Sequence, residues 1–401
     1  MNTEWRLLRL VIAVGVVSGL VAAAYIGLLH VAQRLLGPEH FGDAAHLVVL
    51  ALVGAAIGGL TLFLGSPGDV ELLVDNIHVA GGPEDIKNLR TLIPVSLLGI
   101  GAGSAIGPEA PLVQTTGSIG AWIAHKNRLR PDELRVLTIT GMAAGFTVLF
   151  GVPLGSAIFA LEILHRRGLQ YYEALLPSAI GALVGYAVYT VVRSAGMGPV
   201  WDFPIAHQLK ASDFLVAIGA GVAGAVVATG FTYLTVFLRW AFRRLPAVAR
   251  PLAGGLLLGG LAFVSTYALT FGEGQINTIM ATKIATGTLL LAAGCKFVAS
   301  SAMASSGWRG GFIIPLFFLG VALGSVASRE FHTDLVVTVA ALMAACNVGV
   351  TKTPFGSTLV VTGMAGINLL PTTLLASVVA LLLTSHVGLI ETQRERDPVV
   401  A

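Results

Sequence analysis

Gly107-Pro108-Glu109-Ala110-Pro111 sets a single carboxylate among glycine and proline, between the apolar run Leu92–Ile106 and the apolar run Leu112–Ile123. So much hydrophobic sequence on both sides puts the carboxylate at membrane depth, where a charge costs about 2.5–3.5 kcal/mol even on the milder insertion scales. Glycine and proline interrupt a helix there. Irregular backbone inside a membrane protein is tolerated only where protein buries it or where it lines a watery cavity. We therefore expect Glu109 to belong to an ion pathway.

The rest of the composition supports a polytopic, all-α membrane protein. The 401 residues are 55% hydrophobic and 11% charged, with mean hydropathy +0.84, against about 25% charged in soluble domains. A net charge of +3 gives no reason to expect nucleic acid as a partner. Cys295 and Cys346 both lie in apolar runs and read as core residues rather than a disulfide. Arg6 and Arg9 precede the run Leu10–Val31, which exceeds the roughly 7–15 residues of a signal-peptide core. Despite the small residues Ala22-Ala23-Ala24, a retained first helix is expected. Eleven residues follow Ile390, too few for a soluble regulatory domain.

Apolar segments recur from 7–31 to 370–390. Some, such as 92–106 and 153–164, fall short of the ~20 residues that cross a bilayer. The segment 213–240 exceeds it, and 252–271 and 279–303 each read as one segment. Mixed lengths punctuated by glycine and proline suit transporters whose sites are built from half-helix ends. Ser66–Arg90 holds Asp69, Glu71, Asp75, His78, Glu84, Asp85, Lys87 and Arg90, and is expected to be a solvated loop with a short amphipathic helix. Gly198–Ser212, with Trp201, Asp202, Pro204, His207 and Lys210, reads as a linker between halves 1–205 and 206–401. Basic residues cluster at Lys126–Arg135, His165–Arg167 and Arg239–Arg250, and recur at Arg394 and Arg396. The positive-inside bias then assigns these segments and both termini to the cytoplasm.

The two halves repeat. Met142-Ala143-Ala144 precedes Pro153-Leu154-Gly155-Ser156, and 201 residues later Met343-Ala344-Ala345 precedes Pro354-Phe355-Gly356-Ser357. Pro111 and Gly120 recur as Pro315 and Gly324, 204 residues later. Such duplication implies a pseudo-two-fold architecture with the site between the halves. Three breaks precede apolar helices: Gly65-Ser66-Pro67-Gly68, Gly107–Pro111 and Gly310–Pro315. A half-helix starting inside the membrane offers unpaired N–H groups and about half a positive charge, which favours an anion. Glu109 can take that position as a carboxylate and leave it on protonation, acting as gate and proton carrier. It can equally be a simple helix-end cap.

These residues resemble the CLC family of chloride channels and proton-coupled chloride antiporters along essentially the whole chain. Gly107-Pro108-Glu109-Ala110-Pro111 is similar to the family's G-K/R-E-G-P motif, and Gly311-Phe312-Ile313-Ile314-Pro315 to its G-x-F-x-P motif. Val152–Glu162 resembles the stretch that ends at the inner glutamate pair, and Gly65-Ser66-Pro67-Gly68-Asp69 is a weaker match to G-S-G-I-P. The resemblance implies about eighteen α-helices in two inverted halves and a homodimer with one pore per subunit. It also implies that Glu109 is the external gate. Gly107, Pro108, Ala110, Gly311, Phe312, Ile313 and Ile314 would surround the anion, with the Ser66 hydroxyl contacting it.

Several positions depart from the family pattern. Pro108 replaces a lysine or arginine, Ala110 replaces a glycine, and Ile313 aligns with the motif phenylalanine, so Phe312 is displaced by one. Ile163 stands where antiporters carry an internal proton-relay glutamate. Glu162 matches a more widely shared glutamate and remains a candidate for proton transfer or for structure. All seven tyrosines lie at or before Tyr267, so the C-terminal tyrosine that touches the central anion is absent and Ile390 aligns best there. Lys352, Lys296 and His386 are further candidates, as interface or pathway charges and a proton relay respectively; Glu273 reads as a turn residue, and Trp308 and Arg309 as packing and interface groups. No metal-ligand spacing, nucleotide loop or nucleophile–base pair is visible, so neither enzyme nor cofactor is expected. The expectation is chloride transport in a prokaryotic inner membrane. Proton-coupled antiport leads, and a passive channel is the alternative that Ile163 favours. A fluoride-selective relative and, more remotely, an unrelated permease or intramembrane enzyme complete the alternatives.

Overall fold

A computed structural model describes residues 3–68, 70–83, 86–165, 171–194, 196 and 198–393. Asp69, Glu84, Asp85, Arg166, Arg167, Arg394 and Arg396, named above, lie outside the described residues. Sixteen α-helices are present among those described. The first eight are α1 (Thr3–Leu36), α2 (Asp43–Leu64), α3 (Val70–Ala80), α4 (Leu89–Gly101), α5 (Glu109–Lys126), α6 (Pro131–Phe150), α7 (Pro153–Glu162) and α8 (Leu175–Arg193). The next eight are α9 (Ala211–Phe242), α10 (Arg250–Ala262), α11 (Glu273–Ala281), α12 (Thr286–Ser305), α13 (Ile313–Glu330), α14 (Leu335–Thr351), α15 (Pro354–Ala365) and α16 (Leu370–Thr384). Eight helical segments are long and apolar enough to cross a membrane, and α4, α7 and α14 are shorter apolar helices.

Local chemistry sets the boundaries. Pro131 opens α6, where its missing N–H costs nothing, and the backbone N–H of Arg130 donates to Glu133 Oε2 at 3.1 Å. Gly151 ends α6 in the left-handed region at φ 69°, and Pro153 starts α7 two residues on. In the second half, the Asp334 side chain accepts from Val337 N at 2.9 Å, a cap worth about 1 kcal/mol. Lys352 then ends α14 at φ 62° before Pro354 starts α15.

Packing repeats as the sequence does. α5 lies on α6 as α13 lies on α14; α6 lies on α8 as α14 lies on α16; α1 lies on α8 as α9 lies on α16. Equivalent helices also meet each other across the two sets, α2 with α10 and α7 with α15. Gly120 and Gly324 recur because both sit where backbones touch. A Cβ at Gly120 would strike the Leu137 carbonyl, and one at Gly324 would lie 2.9 Å from Val339 Cα. Small residues at such crossings substitute van der Waals contact for the hydrophobic drive that lipid does not provide.

Four expectations change. The segment 279–303 is not one helix: α11 stops at Ala281 and α12 starts at Thr286. The segment 252–271 stops being α-helical at Ala262. Glu273 is not a turn residue but the first residue of α11, with Gly272 behind it at φ 107°. The helix expected within Ser66–Arg90 is present as α3, but its inner face is not solvated. Leu73, Val74 and Ile77 are fully buried, and His78 is 8% exposed and hydrogen-bonded to Leu164 O and Tyr171 Oη. Gly198–Ser212 does connect α8 to α9 and is pinned on both sides. Trp201 Nε1 donates to Glu273 O at 3.1 Å, and His207 sits between Asp334 and Asp213.

Candidate functional site

The two interrupted motifs meet. Gly107 and Gly311 exchange both backbone hydrogen bonds as a single antiparallel bridge, at 2.8 and 2.7 Å. They are 204 residues apart, the offset that also separates Pro111 from Pro315 and Gly120 from Gly324. The bridge holds the N-terminus of α5 against the N-terminus of α13. Glu109, the first residue of α5, is fully buried. Its Oε1 accepts from the Ile314 amide at 2.6 Å. Oε2 has no hydrogen-bond partner among the described residues.

Space for that side chain depends on the bridge glycines. A Cβ on Gly107 would collide with Oε2, and one on Gly311 would lie 2.8 Å from Oε2 and 2.9 Å from Glu109 Cβ. Glycine is thus required in both motifs by what lies over it, in addition to any need for a break. Pro108 is the residue that leads into α5, at φ −76°.

Two cavities flank this plug. One, of about 390 Å³, is lined by Gly68, Ala110, Pro111, Gln114, Phe312, Leu389, Ile390 and a set of arginines. The other, of about 960 Å³, is lined by Gly101, Gly103, Thr270, Phe271, Glu273, Glu39 and Asp43. Asp43 and Thr61 lie near opposite ends of α2, and each lines a different cavity. At 1.5 Å per residue the two are about 27 Å apart. The cavities therefore lie toward opposite ends of α2; Ala110, next to Glu109, lines the first, and Glu109 itself lines neither. The arginine-lined cavity also meets the end of the described chain: Leu389 and Ile390 line it, and Thr392 Oγ1 donates to Glu71 O at 2.9 Å. Arg6, near the start of α1, donates to Asn127 O in the α5–α6 connection at 2.7 Å.

The remaining predicted residues distribute as follows. Ile313, Ile314, Phe312, Gly311, Gly107, Pro108 and Ala110 come together around Glu109. Ser66 does not: it is exposed, its hydroxyl faces the Gly68 amide at 3.4 Å, and Gly68 rather than Ser66 lines the cavity. Ile390 is 2% exposed and lines the cavity beside Phe312. Glu162, 1% exposed, accepts from Phe355 N at 3.2 Å and Gly356 N at 2.6 Å, at the start of α15. Ile163 is buried, and its carbonyl accepts from Gln393 Nε2 at 2.8 Å. Lys352 is buried and donates to Gly349 O, Thr384 O and Thr384 Oγ1, where α14 and α16 end. Lys296 is buried on Leu269 O and Thr270 O. Both ammonium groups thus meet carbonyls, and His386 lies exposed after α16. Cys295 and Cys346 are free and buried. Sequence reasoning missed Gln114, a buried amide on the cavity wall, although an amide in a run as apolar as Leu112–Ile123 is itself a signal. Arg309, read as a packing or interface group, lines the cavity.

A family model described as voltage gated chloride channel matches residues 70–385. The chain belongs to the voltage-gated chloride channel family. Like that family it is a multi-pass membrane protein of anion transport, and its matched region runs from α3 to the end of α16. It is similar to a "Chloride/fluoride channel protein" of Pseudomonas syringae pv. tomato, 28% identical over 373 residues, which is 86% of this chain and 78% of that one. Among solved structures it superposes on a CLC-type fluoride/proton antiporter with TM-score 0.84, at 23% identity, covering 99% of this chain and 100% of the other. It superposes on a slow cyanobacterial Cl−/H+ antiporter with TM-score 0.81, at 21% identity and 95% coverage of each. At these identities the two structures establish the shared voltage-gated chloride channel fold, with its two inverted sets of helices.

Proposed function

We propose that this protein exchanges chloride for protons across a prokaryotic inner membrane, with Glu109 as both gate and proton carrier. The supporting observation is the state of that carboxylate. It occupies a helix N-terminus suited to an anion, is held there by one amide, and keeps its second oxygen without a partner. A chloride competing for the Ile314 amide, and for the Ile313 amide beside it, would displace the carboxylate. Protonation would weaken its hold on the same donor. Gly107, Pro108, Ala110, Gly311, Phe312, Ile313 and Ile314 form the anion's surroundings, Ile390 stands at the arginine-lined mouth, and Gly68 replaces Ser66 as the nearest part of the first break. Glu162 acts as a structural tie rather than as the inner proton donor. The two halves, 1–205 and 206–401, work as one unit, and two such chains pair as a homodimer with separate pores. The basic face and both chain ends lie toward the cytoplasm, and no cofactor takes part.

A second reading concerns the anion. One relative is described as a chloride/fluoride channel protein and one structural neighbour as a fluoride/proton antiporter, which supports fluoride as the preferred ion. Reconstitution in liposomes separates these readings. A chloride gradient should drive protons uphill, and the same experiment with fluoride ranks the two ions. Anion flux with no proton movement would make the protein a passive channel, the outcome Ile163 favours.

A further inference from the structure

The cavity of about 960 Å³ carries ionisable groups of both signs. His30 and Arg34 of α1, Glu39 and His40 of the turn Pro38–His40, and Asp43 of α2 are all exposed on its wall. Glu273, at the start of α11, is the one carboxylate on that wall that is partly buried. The main chain around it is held at four points. Lys296 Nζ donates to Leu269 O at 2.8 Å and to Thr270 O at 2.5 Å, with its ammonium 5.0 Å from the centre of the Phe318 ring. Thr270 N donates to Gly103 O at 2.7 Å, and Trp201 Nε1 donates to Glu273 O at 3.1 Å. The Glu273 carboxylate itself has neither a hydrogen bond nor an ion pair among the described residues. An acid in the first turn suits the helix dipole, which accounts for its place and leaves both oxygens without a donor. An ionisable group kept inside a membrane protein is costly, and such groups mark ion and proton paths.

The position of Glu273 relative to Glu109 follows from α13. A Cβ on Gly272 would lie 3.1 Å from Phe318 Cβ, so the start of α11 rests on Phe318. Phe318 is four residues after Ile314, one turn or about 6 Å along the same face. Ile314 is the residue whose amide holds Glu109 Oε1. From the other half, Ile100, Gly101 and Gly103, which lead from the end of α4 toward Glu109, line the same cavity. We propose that Glu273 relays protons between the solution in this cavity and Glu109. The proposal rests on the reading of Glu109 as a proton carrier. Once Glu109 has left the Ile314 amide, its carboxylate takes a proton that Glu273 gives up through cavity water. One O–H bond breaks at Glu273, one forms at Glu109, and each bridging water accepts one proton and donates another. Glu273, now a carboxylate, is reloaded from the solution. The reverse order discharges protons. Because no donor holds Glu273, it changes protonation without breaking a contact.

The test follows proton movement and anion efflux together in liposomes holding the full chain, with a chloride gradient and again with fluoride. Glu273→Gln should lower the proton-to-anion ratio roughly ten- to hundred-fold, at or below the lower end of what a positioned acid–base group contributes. Glu273→Asp should restore most of the ratio. Imidazole buffer on the cavity side titrates near neutrality and should carry protons in place of the missing carboxyl, raising the ratio in Glu273→Gln. The melting temperature of Glu273→Gln should match that of the unaltered protein, because the carboxylate has no partner to lose. A ratio unchanged in Glu273→Gln, whether both rates hold or both fall, would overturn the proposal. So would a lowered ratio that neither aspartate nor imidazole restores, which would assign Glu273 to packing. If the unaltered chain moves anions without protons, or if Glu109→Gln leaves proton movement intact, the reading of Glu109 fails and this proposal with it. That outcome is visible without any Glu273 variant.

Discussion

Glu109 and Glu162 are buried carboxylates in the same half of the chain, and each binds the N-terminus of a helix from the other half. Glu109 accepts from one amide, at the start of α13, and its Oε2 has no partner. Glu162 accepts from two, at the start of α15, one on each oxygen. Their surroundings differ as well. Glu109 lies over two glycines that yield it room, next to a residue, Ala110, that lines a cavity. Glu162 closes a crossing where α7 and α15 touch through their backbones: a Cβ on Gly356 would lie 2.5 Å from Phe159 Cα. The same attraction between an anion and a helix end thus makes a releasable plug in one place and a rivet in the other. Donor count and free space decide which.

The most severe test of that contrast is Glu109→Gln beside Glu162→Gln, both in liposomes with an anion gradient. Glu109→Gln should reduce uphill proton movement to background while anion flux continues. Glu162→Gln should retain it. If the two variants behave alike, the distinction between plug and rivet is wrong. Next in size come the glycines. Gly107→Ala puts a methyl group where Oε2 lies, and the flexible carboxylate is the part that can give way. Its bond to Ile314, a charged one worth about 1.5–3 kcal/mol, would be exchanged for an open pathway, raising passive anion leak roughly tenfold or more. Gly356→Ala meets backbone instead, which cannot swing aside. It should lower stability by about 1–3 kcal/mol and leave the leak unchanged, as thermal unfolding and efflux assays would report.

How much of this was legible in the sequence follows the range of the interactions. The interruption around Glu109 and the repeat were visible because both are local patterns, glycine, proline and apolar periodicity, copied at a fixed offset. The bridge between Gly107 and Gly311 could be guessed only from that symmetry. The roles of the two glutamates were not separable, because the donors to Glu162 lie almost two hundred residues away and nothing near Glu162 announces them. His78 read as a loop residue for the same reason: its partners, Leu164 O and Tyr171, come from beyond α7. Arg309 read, with Trp308, only as a packing or interface group, and a sequence does not say which of two adjacent side chains faces a cavity. The break between α11 and α12 was hidden by apolar residues on both sides of Thr282–Ala285.

A smaller effect concerns the rivet alone. Glu162→Gln keeps one acceptor but turns an amide NH2 toward one of the two backbone donors. The unpaired buried N–H should cost about 1–3 kcal/mol of stability. Glu162→Ala should cost at least as much, because both donors of α15 lose their partner. The equivalent stability loss for Glu109→Gln should be less, since only one donor depends on it. Unfolding of the three variants in detergent, monitored by tryptophan fluorescence, would give the order directly. A larger loss at Glu109 than at Glu162 would reverse the assignment.

The smallest effect tests the same device in water. Asp334 and Asp213 cap α14 and α9, accepting from Val337 N at 2.9 Å and Lys210 N at 2.8 Å. His207 joins them, with Nδ1 2.7 Å from Asp334 Oδ2 and Nε2 2.9 Å from Asp213 Oδ2. Its hydrogen bonds to Asp334 and then to Asp213 raise the imidazole above its ordinary value of 6.5. A raised folded pKa stabilises fully below the unfolded value, and that stabilisation disappears as pH climbs through the folded one. The melting temperature should therefore carry a modest component that is present in mildly acidic solution and lost above neutrality, and His207→Gln should remove it. Salt should weaken it, because this clamp is open to water. The contributions of Glu109 and Glu162, sealed inside the protein, should resist salt. A pH component of unchanged size in His207→Gln would place its origin elsewhere, and a component equally insensitive to salt would mean that solvent exposure does not separate this clamp from the two buried ones.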